Sequence, residues 1–250
     1  MKIRVVRFLS VIVTLSYAAL TAAGARSNET GPQTKDHVLA IDVLLIPDAT
    51  MTQKSIAANA RLRENYRQGY TLGKDQAPHI TLVHAYVLES NLRRLEQAVA
   101  KLADAAQPQK WELTATGFTH ANWSGLAITT IGIERTPALD AFQVNVEKAT
   151  DRVRAAEGTT AAFSTTRDLP KIQPEIIDYV RDFHAKSSGA KYKPHVTFGV
   201  AHEDFVKKLE AAPFEKFTFQ PAGVAIYQLG NFGTAQKKLW EWDARPSAAK

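Results

Sequence analysis

The sequence predicts an α+β fold made of two related halves, and three observations predict it. The phrase Pro-His-apolar-Thr-apolar stands at residues 78–82 as Pro-His-Ile-Thr-Leu and returns at residues 194–198 as Pro-His-Val-Thr-Phe. Segments with apolar residues at helical spacing are interleaved with short β-rich runs along the chain. The order helix, motif strand, helix, strand, strand can be read twice, and a shared order of elements marks an internal duplication.

The start of the chain is set apart from this pattern. Lys2, Arg4 and Arg7 precede a mostly apolar run at residues 8–23, which ends in the small-residue site Ala23-Gly24-Ala25. This is the layout of a secretory signal peptide over residues 1–25. The apolar run falls short of the ~20 residues a membrane span needs, and no later stretch is apolar enough. A periplasmic or secreted monomer is expected, with no membrane anchor after processing. Loss of three basic residues and no acidic one takes the formal net charge from +6 to +3. That mild surplus suits an anionic substrate and does not by itself indicate a nucleic-acid surface. The chain has no cysteine, so neither disulfides nor a lipidated cysteine can hold it. Polar residues 26–36 read as a flexible leader, residues 37–245 as a single bilobal domain and residues 246–250 as a tail.

Residues 38–46 form a β-rich run stopped by Pro47. A helix follows, capped by Asp48 or Thr50, with Ile56, Ala60 and Leu62 at helical spacing and Gly69 as its stop. The first motif strand spans 79–88. Residues 90–105 place Leu92, Leu95, Val99 and Leu102 on one helical face. Strands are expected at 111–118 and 125–133, with the polar segment 119–124 between them as a loop. In the second half, 137–157 reads as a helix with Pro137 at its start and Gly158 at its end. The second motif strand spans 194–200, a short helix 203–212, and strands 214–220, 223–230 and 237–244. The halves differ in one respect. Residues 70–77 lead to the first motif, whereas the longer segment 158–193 leads to the second and carries an amphipathic helix with Ile176, Val180 and Phe183 on one side. Such a stripe is expected to pack rather than to swing as a lid.

In a strand, residues i and i+2 share a face. His79 and Thr81 therefore point one way while Ile80 and Leu82 enter a core; His195 and Thr197 do the same against Val196 and Phe198. If the halves pair about a pseudo-twofold axis, two imidazoles and two hydroxyls line one cleft. Near neutral pH one imidazole can accept a proton while the other donates one, and the hydroxyls can bind phosphate oxygens. His84 is five positions from His79 and belongs on the opposite face by alternation. His37, His84, His120, His184 and His202 read as surface or core histidines. Lys191, Tyr192 and Lys193 read as a solvated loop before the second motif, and Arg167 is a weaker candidate still. The chain contains no His-Glu-x-x-His, no Gly-x-Ser-x-Gly, no Gly-rich phosphate loop and no dinucleotide fingerprint, so no metal and no cofactor is expected.

The paired His-Ile-Thr-Leu and His-Val-Thr-Phe resemble the signature of the two-histidine phosphoesterase superfamily, which includes cyclic phosphodiesterases and bacterial RNA 2′,5′-ligase-like proteins. The resemblance covers residues 38–243. It implies two pseudo-symmetric lobes of antiparallel sheet around a central cleft, with helices outside. It also implies metal-independent hydrolysis of a 2′,3′-cyclic phosphate or related phosphodiester in a small phosphodiester, nucleotide or RNA end. His79 and His195 then correspond to the acid/base pair, and Thr81 and Thr197 to the phosphate binders. The long connector and the export signal depart from the pattern of an enzyme of intracellular RNA ends. A non-catalytic module binding a phosphorylated ligand in the same cleft is the alternative.

Overall fold

A computed structural model describes residues 36–123, 125–167 and 169–243. The expected signal peptide, the leader up to residue 35 and the tail lie outside the described residues. The first described strand, β1 (Val38–Pro47), is apolar on both faces except for one carboxylate, Asp42. It is followed by α1 (Ala49–Asn65), β2 (Ile80–Leu88), α2 (Leu92–Ala106), β3 (Leu113–Trp123), β4 (Leu126–Ile133), α3 (Pro137–Asp151), α4 (Pro174–Ser187), β5 (His195–Ala201), α5 (Glu203–Ala211), β6 (Phe217–Phe219), β7 (Pro221–Leu229) and β8 (Ala235–Glu241). Asp48 caps α1 by accepting from the Met51 amide, and Thr136 caps α3 by accepting from the Leu139 amide. Among the described residues no helix is long and apolar enough to cross a membrane.

The strands form an antiparallel sheet in the order β6-β3-β4-β5-β2-β1-β7-β8. It consists of two four-stranded lobes that meet through one matched pair, Ile80 with Val196, in the middle of the two motifs. The lobes are not the two halves of the sequence. β3 and β4, which follow the first motif, pair with the second motif strand; β7 and β8, which follow the second motif, join β1 beside the first. Each lobe therefore holds one motif strand and borrows strands from beyond the other. The fold is α+β, with antiparallel lobes and flanking helices.

Three local expectations change and a fourth holds. α1 buries Met51, Ser55, Ala58, Asn59 and Leu62, while Ile56 and Ala60 are exposed. The polar residues 119–123 are strand, paired as Thr119 with Thr130 and Ala121 with Ile128; Thr119, His120 and Trp123 border a cavity, so polarity there does not mark a loop. α3 ends at Asp151. Gly158 instead allows a close approach, since a Cβ there would lie 2.2 Å from the Tyr86 ring. The inserted α4 does bury Ile176, Val180 and Phe183. It packs against Ala40, Tyr86 and Phe163 and, with Ile176 and Tyr179, walls the cavity.

Both motif strands carry a β-bulge at the same place. Between β1 and β2 the register runs from Val43 opposite Val83 to Leu44 opposite Thr81, so Leu82 is the extra residue. Between β4 and β5 it runs from Thr129 opposite Gly199 to Thr130 opposite Thr197, so Phe198 is extra. The second bulge is held by Asn59, whose side-chain amide donates to the Phe198 carbonyl at 2.7 Å and the Tyr70 carbonyl at 3.1 Å and whose oxygen accepts from the Leu72 amide at 3.0 Å. Asn59→Ala strands three buried backbone groups. It is expected to lower unfolding stability by about 2–4 kcal/mol in urea denaturation; a change within about 0.5 kcal/mol would show that the bulge does not depend on this side chain.

Candidate active site

His79, Thr81, His195 and Thr197 border a single cavity of about 570 Å³. Its wall also includes Thr119, His120, Trp123 and Thr130 from the β3–β4 hairpin, Arg135, Tyr179 of α4, and Lys193. Among its described lining residues there are cations, imidazoles and hydroxyls but no carboxylate, so it suits an anion. A second chamber of about 370 Å³ adjoins it, sharing Thr81, Tyr179, Lys193 and His195 and adding Lys186 and Lys191.

The two motif histidines share one feature and differ in another. In each, Nδ1 lies 2.7 Å from the backbone carbonyl two residues back, Ala77 for His79 and Lys193 for His195. A carbonyl can only accept, so Nδ1 carries the hydrogen in both rings. Nε2 of His79 then meets a second acceptor, Asp42 Oδ2, at 3.2 Å. Nε2 of His195 has no protein partner among the described residues. Burial is the largest influence on both rings and disfavours charge. At His79 it is outweighed by the hydrogen bond to Asp42, by the charge of Asp42 and by the Ala77 carbonyl, and the pKa lies above the ordinary imidazole value. At His195 burial wins, helped by repulsion from His79 and His84, and the pKa lies below it.

The threonines differ in the same sense. The Thr81 hydroxyl donates to Asp42 Oδ2 at 3.0 Å, whereas no protein partner engages the Thr197 hydroxyl among the described residues. Beneath Thr81, Tyr192 is buried and its hydroxyl donates to the Thr81 carbonyl at 3.0 Å, so it is a support of the motif strand rather than part of a solvated loop. Arg135 clasps Asp140 and donates to the carbonyls of Gly189 and Ala190, which fixes the turn leading to Lys193.

The structure adds residues that the sequence reading set aside. His84 is not on the far face. The Leu82 bulge interrupts the alternation, so His84 stands directly opposite Asp42 and borders the cavity, with Nε2 3.2 Å from Asp42 Oδ2. His120 borders the cavity and pairs with Glu210 at 2.8 Å. His184 instead joins Glu147 and Asp151 in a group whose ligand atoms lie within 4.8 Å of one another, the cluster of metal-ligating type among the described residues. Arg154 already pairs with both carboxylates, at 2.6 and 2.9 Å. His37 and His202 are exposed, and His202 stacks edge-on against Tyr66. Asp42 did carry a signal, as the single acid in an otherwise apolar run of ten residues.

Comparison with solved structures finds Escherichia coli LigT complexed with ATP, at 13% identity over 82% of this chain and 98% of that one, with a TM-score of 0.41. The protein TT0787 of Thermus thermophilus matches at 13% identity over 84% of this chain and 100% of that one, with a TM-score of 0.45. No curated protein sequence matches the chain. Residues 52–230, which contain both motifs, match the sequence profile of the 2′-5′ RNA ligase superfamily. The two motifs face one cavity from lobes that exchange strands, and on the strength of the profile match the chain belongs to the 2′-5′ RNA ligase superfamily.

Proposed function

We propose that the protein is an exported, metal-independent phosphodiesterase that opens a 2′,3′-cyclic phosphate or a related phosphodiester by attack of water. The observation that carries this reading is the unlike state of two histidines in one cavity: His79 has an acceptor at each ring nitrogen, and His195 has one nitrogen without a protein partner among the described residues. His195 Nε2 is the general base and His79 the general acid. A bond forms between the water oxygen and phosphorus as the bond to the leaving oxygen breaks. The water proton passes to His195 Nε2, and the Nε2 proton of His79 passes to the leaving oxygen. Exchange with solvent then restores both rings. The free Thr197 hydroxyl donates to a non-bridging oxygen, and Lys193 and Arg135 at the cavity wall favour the anionic ligand.

Purified protein is to be tested against 2′,3′-cyclic nucleotides, cyclic-phosphate-ended RNA, 2′,5′-linked oligonucleotides and non-nucleotide phosphodiesters, with and without a strong chelator. Turnover that survives chelation is the expected result. Binding without turnover across the panel would favour a ligand-binding module, and loss on chelation with rescue by a divalent ion would reveal a metal requirement. Export rests on residues 1–25, and mass spectrometry of the native protein is expected to find its first residue at Arg26. A full-length product held in the membrane would show that the segment is an anchor.

A further inference from the structure

We infer that Asp42 and His84 are positioning residues: the buried carboxylate on β1, gripped by His84 across the Leu82 bulge, makes His79 the proton donor and so separates the roles of two otherwise equivalent histidines. The inference starts from the pseudo-symmetry itself and rests on the acid and base roles proposed above. The two bulges align the lobes residue by residue. Leu44 opposite Thr81 corresponds to Thr130 opposite Thr197, and two residues earlier Asp42 opposite His84 corresponds to Ile128 opposite Val200. At the one place where the first lobe carries a carboxylate and an imidazole, the second carries two aliphatic side chains.

An ionised carboxylate with no exposure is costly in such a strand unless its partners repay the desolvation. Here the partners converge on a single oxygen. Asp42 Oδ2 receives His79 Nε2, His84 Nε2 and the Thr81 hydroxyl, at 3.2, 3.2 and 3.0 Å. Among the described residues, Asp42 Oδ1 is buried with no partner, and so is His84 Nδ1. A purely structural ion pair would be expected to satisfy both oxygens; this one is aimed at the motif. Burial would raise the Asp42 pKa, but His84 and His79 outweigh it and keep the carboxylate ionised. The other titratable or charged groups that line the cavity with His79 and His84 are His195 on β5, His120 on β3, Tyr179 on α4, Arg135 and Lys193, and Tyr192 lines the adjoining chamber. Burial raises the pKa of both tyrosines, so they stay neutral where histidines titrate.

The roles predict opposite shifts on one group. Asp42→Asn keeps the shape and an acceptor oxygen but removes the charge, so His79 loses its proton more readily. Its titration, and the basic limb of kcat/KM that it sets, are expected to move to lower pH by about one to three units. His84→Phe keeps a ring against Tyr179 and Phe183 but removes the donor that shares the carboxylate. Asp42 then holds the His79 proton more tightly, and the same limb is expected to move to higher pH. The acidic limb, set by His195, should move less than the basic limb in either variant, because Asp42 and His84 act on His195 through charge alone whereas Asp42 also holds His79 by a hydrogen bond. Histidine NMR titration of the whole protein reads His79 and His195 without turnover. An inactive protein with the expected NMR shifts therefore overturns the phosphodiesterase reading and leaves this inference standing. Limbs and titrations unmoved, or moved the same way in both variants, overturn the inference. Should Asp42→Asn fail to fold by circular dichroism, the sign of the His84→Phe shift decides alone.

Discussion

His79→Ala and His195→Ala are each expected to lower kcat/KM for the phosphodiester identified by the screen by about 10²–10⁴-fold. The two losses should differ in their pH dependence. In the proposed mechanism, turnover needs His195 neutral and His79 protonated at once. Because the pKa of His195 lies below the ordinary imidazole value and that of His79 above it, both conditions are met in a window around that value. The wild-type profile should be a bell whose acidic limb reports His195 and whose basic limb reports His79, as apparent values of a coupled pair. His195→Ala should remove the acidic limb and His79→Ala the basic one. The double variant should be little worse than the worse single variant, because the two residues serve one step. Steady-state kinetics across pH, with circular dichroism to confirm folding, provide the measurement. Near-wild-type turnover in either folded variant would rule out acid/base catalysis by this pair.

Thr197→Val is expected to have the next largest effect. Its hydroxyl is the motif hydroxyl with no protein partner among the described residues, so it is free to donate to a charged phosphate oxygen. Loss of one hydrogen bond to a charged group costs about 1.5–3 kcal/mol, roughly a 10–100-fold fall in kcat/KM. Thr81→Val should behave differently. The Thr81 hydroxyl already donates to Asp42 Oδ2, so its removal takes a donor from the carboxylate rather than from the substrate. Its main signature should be a shift of the basic limb to higher pH, in the same sense as His84→Phe, with a smaller fall in rate at the optimum. Equal losses in the two threonine variants, without a limb shift, would mean that substrate binding frees Thr81 from Asp42.

What the sequence by itself determined is what depends on neighbours along the chain. The alternation of a strand puts His79 with Thr81 and His195 with Thr197, and all four do border one cavity. Side-chain caps set the starts of α1 and α3, and a 3.6-residue stripe placed α4 with its buried face correctly. The repeated motif and repeated element order were legible for the same reason. The tertiary structure decided what depends on pairing between distant strands. A bulge is defined only against its partner strand, so the placement of His84 opposite Asp42 could not be read from a five-residue spacing. The exchange of strands between lobes is likewise a matter of hydrogen-bonded neighbours, which element order leaves open. Polarity alone reads residues 119–123 as a loop, and only the fold shows the strand they form and the cavity that Thr119, His120 and Trp123 border. Above all, two motifs that are equivalent as text became chemically unequal, because an ionisable ring takes its proton affinity from the charges packed against it. Only the fold brings Asp42 to His79 and sets the aliphatic Ile128 in the corresponding place on the other lobe.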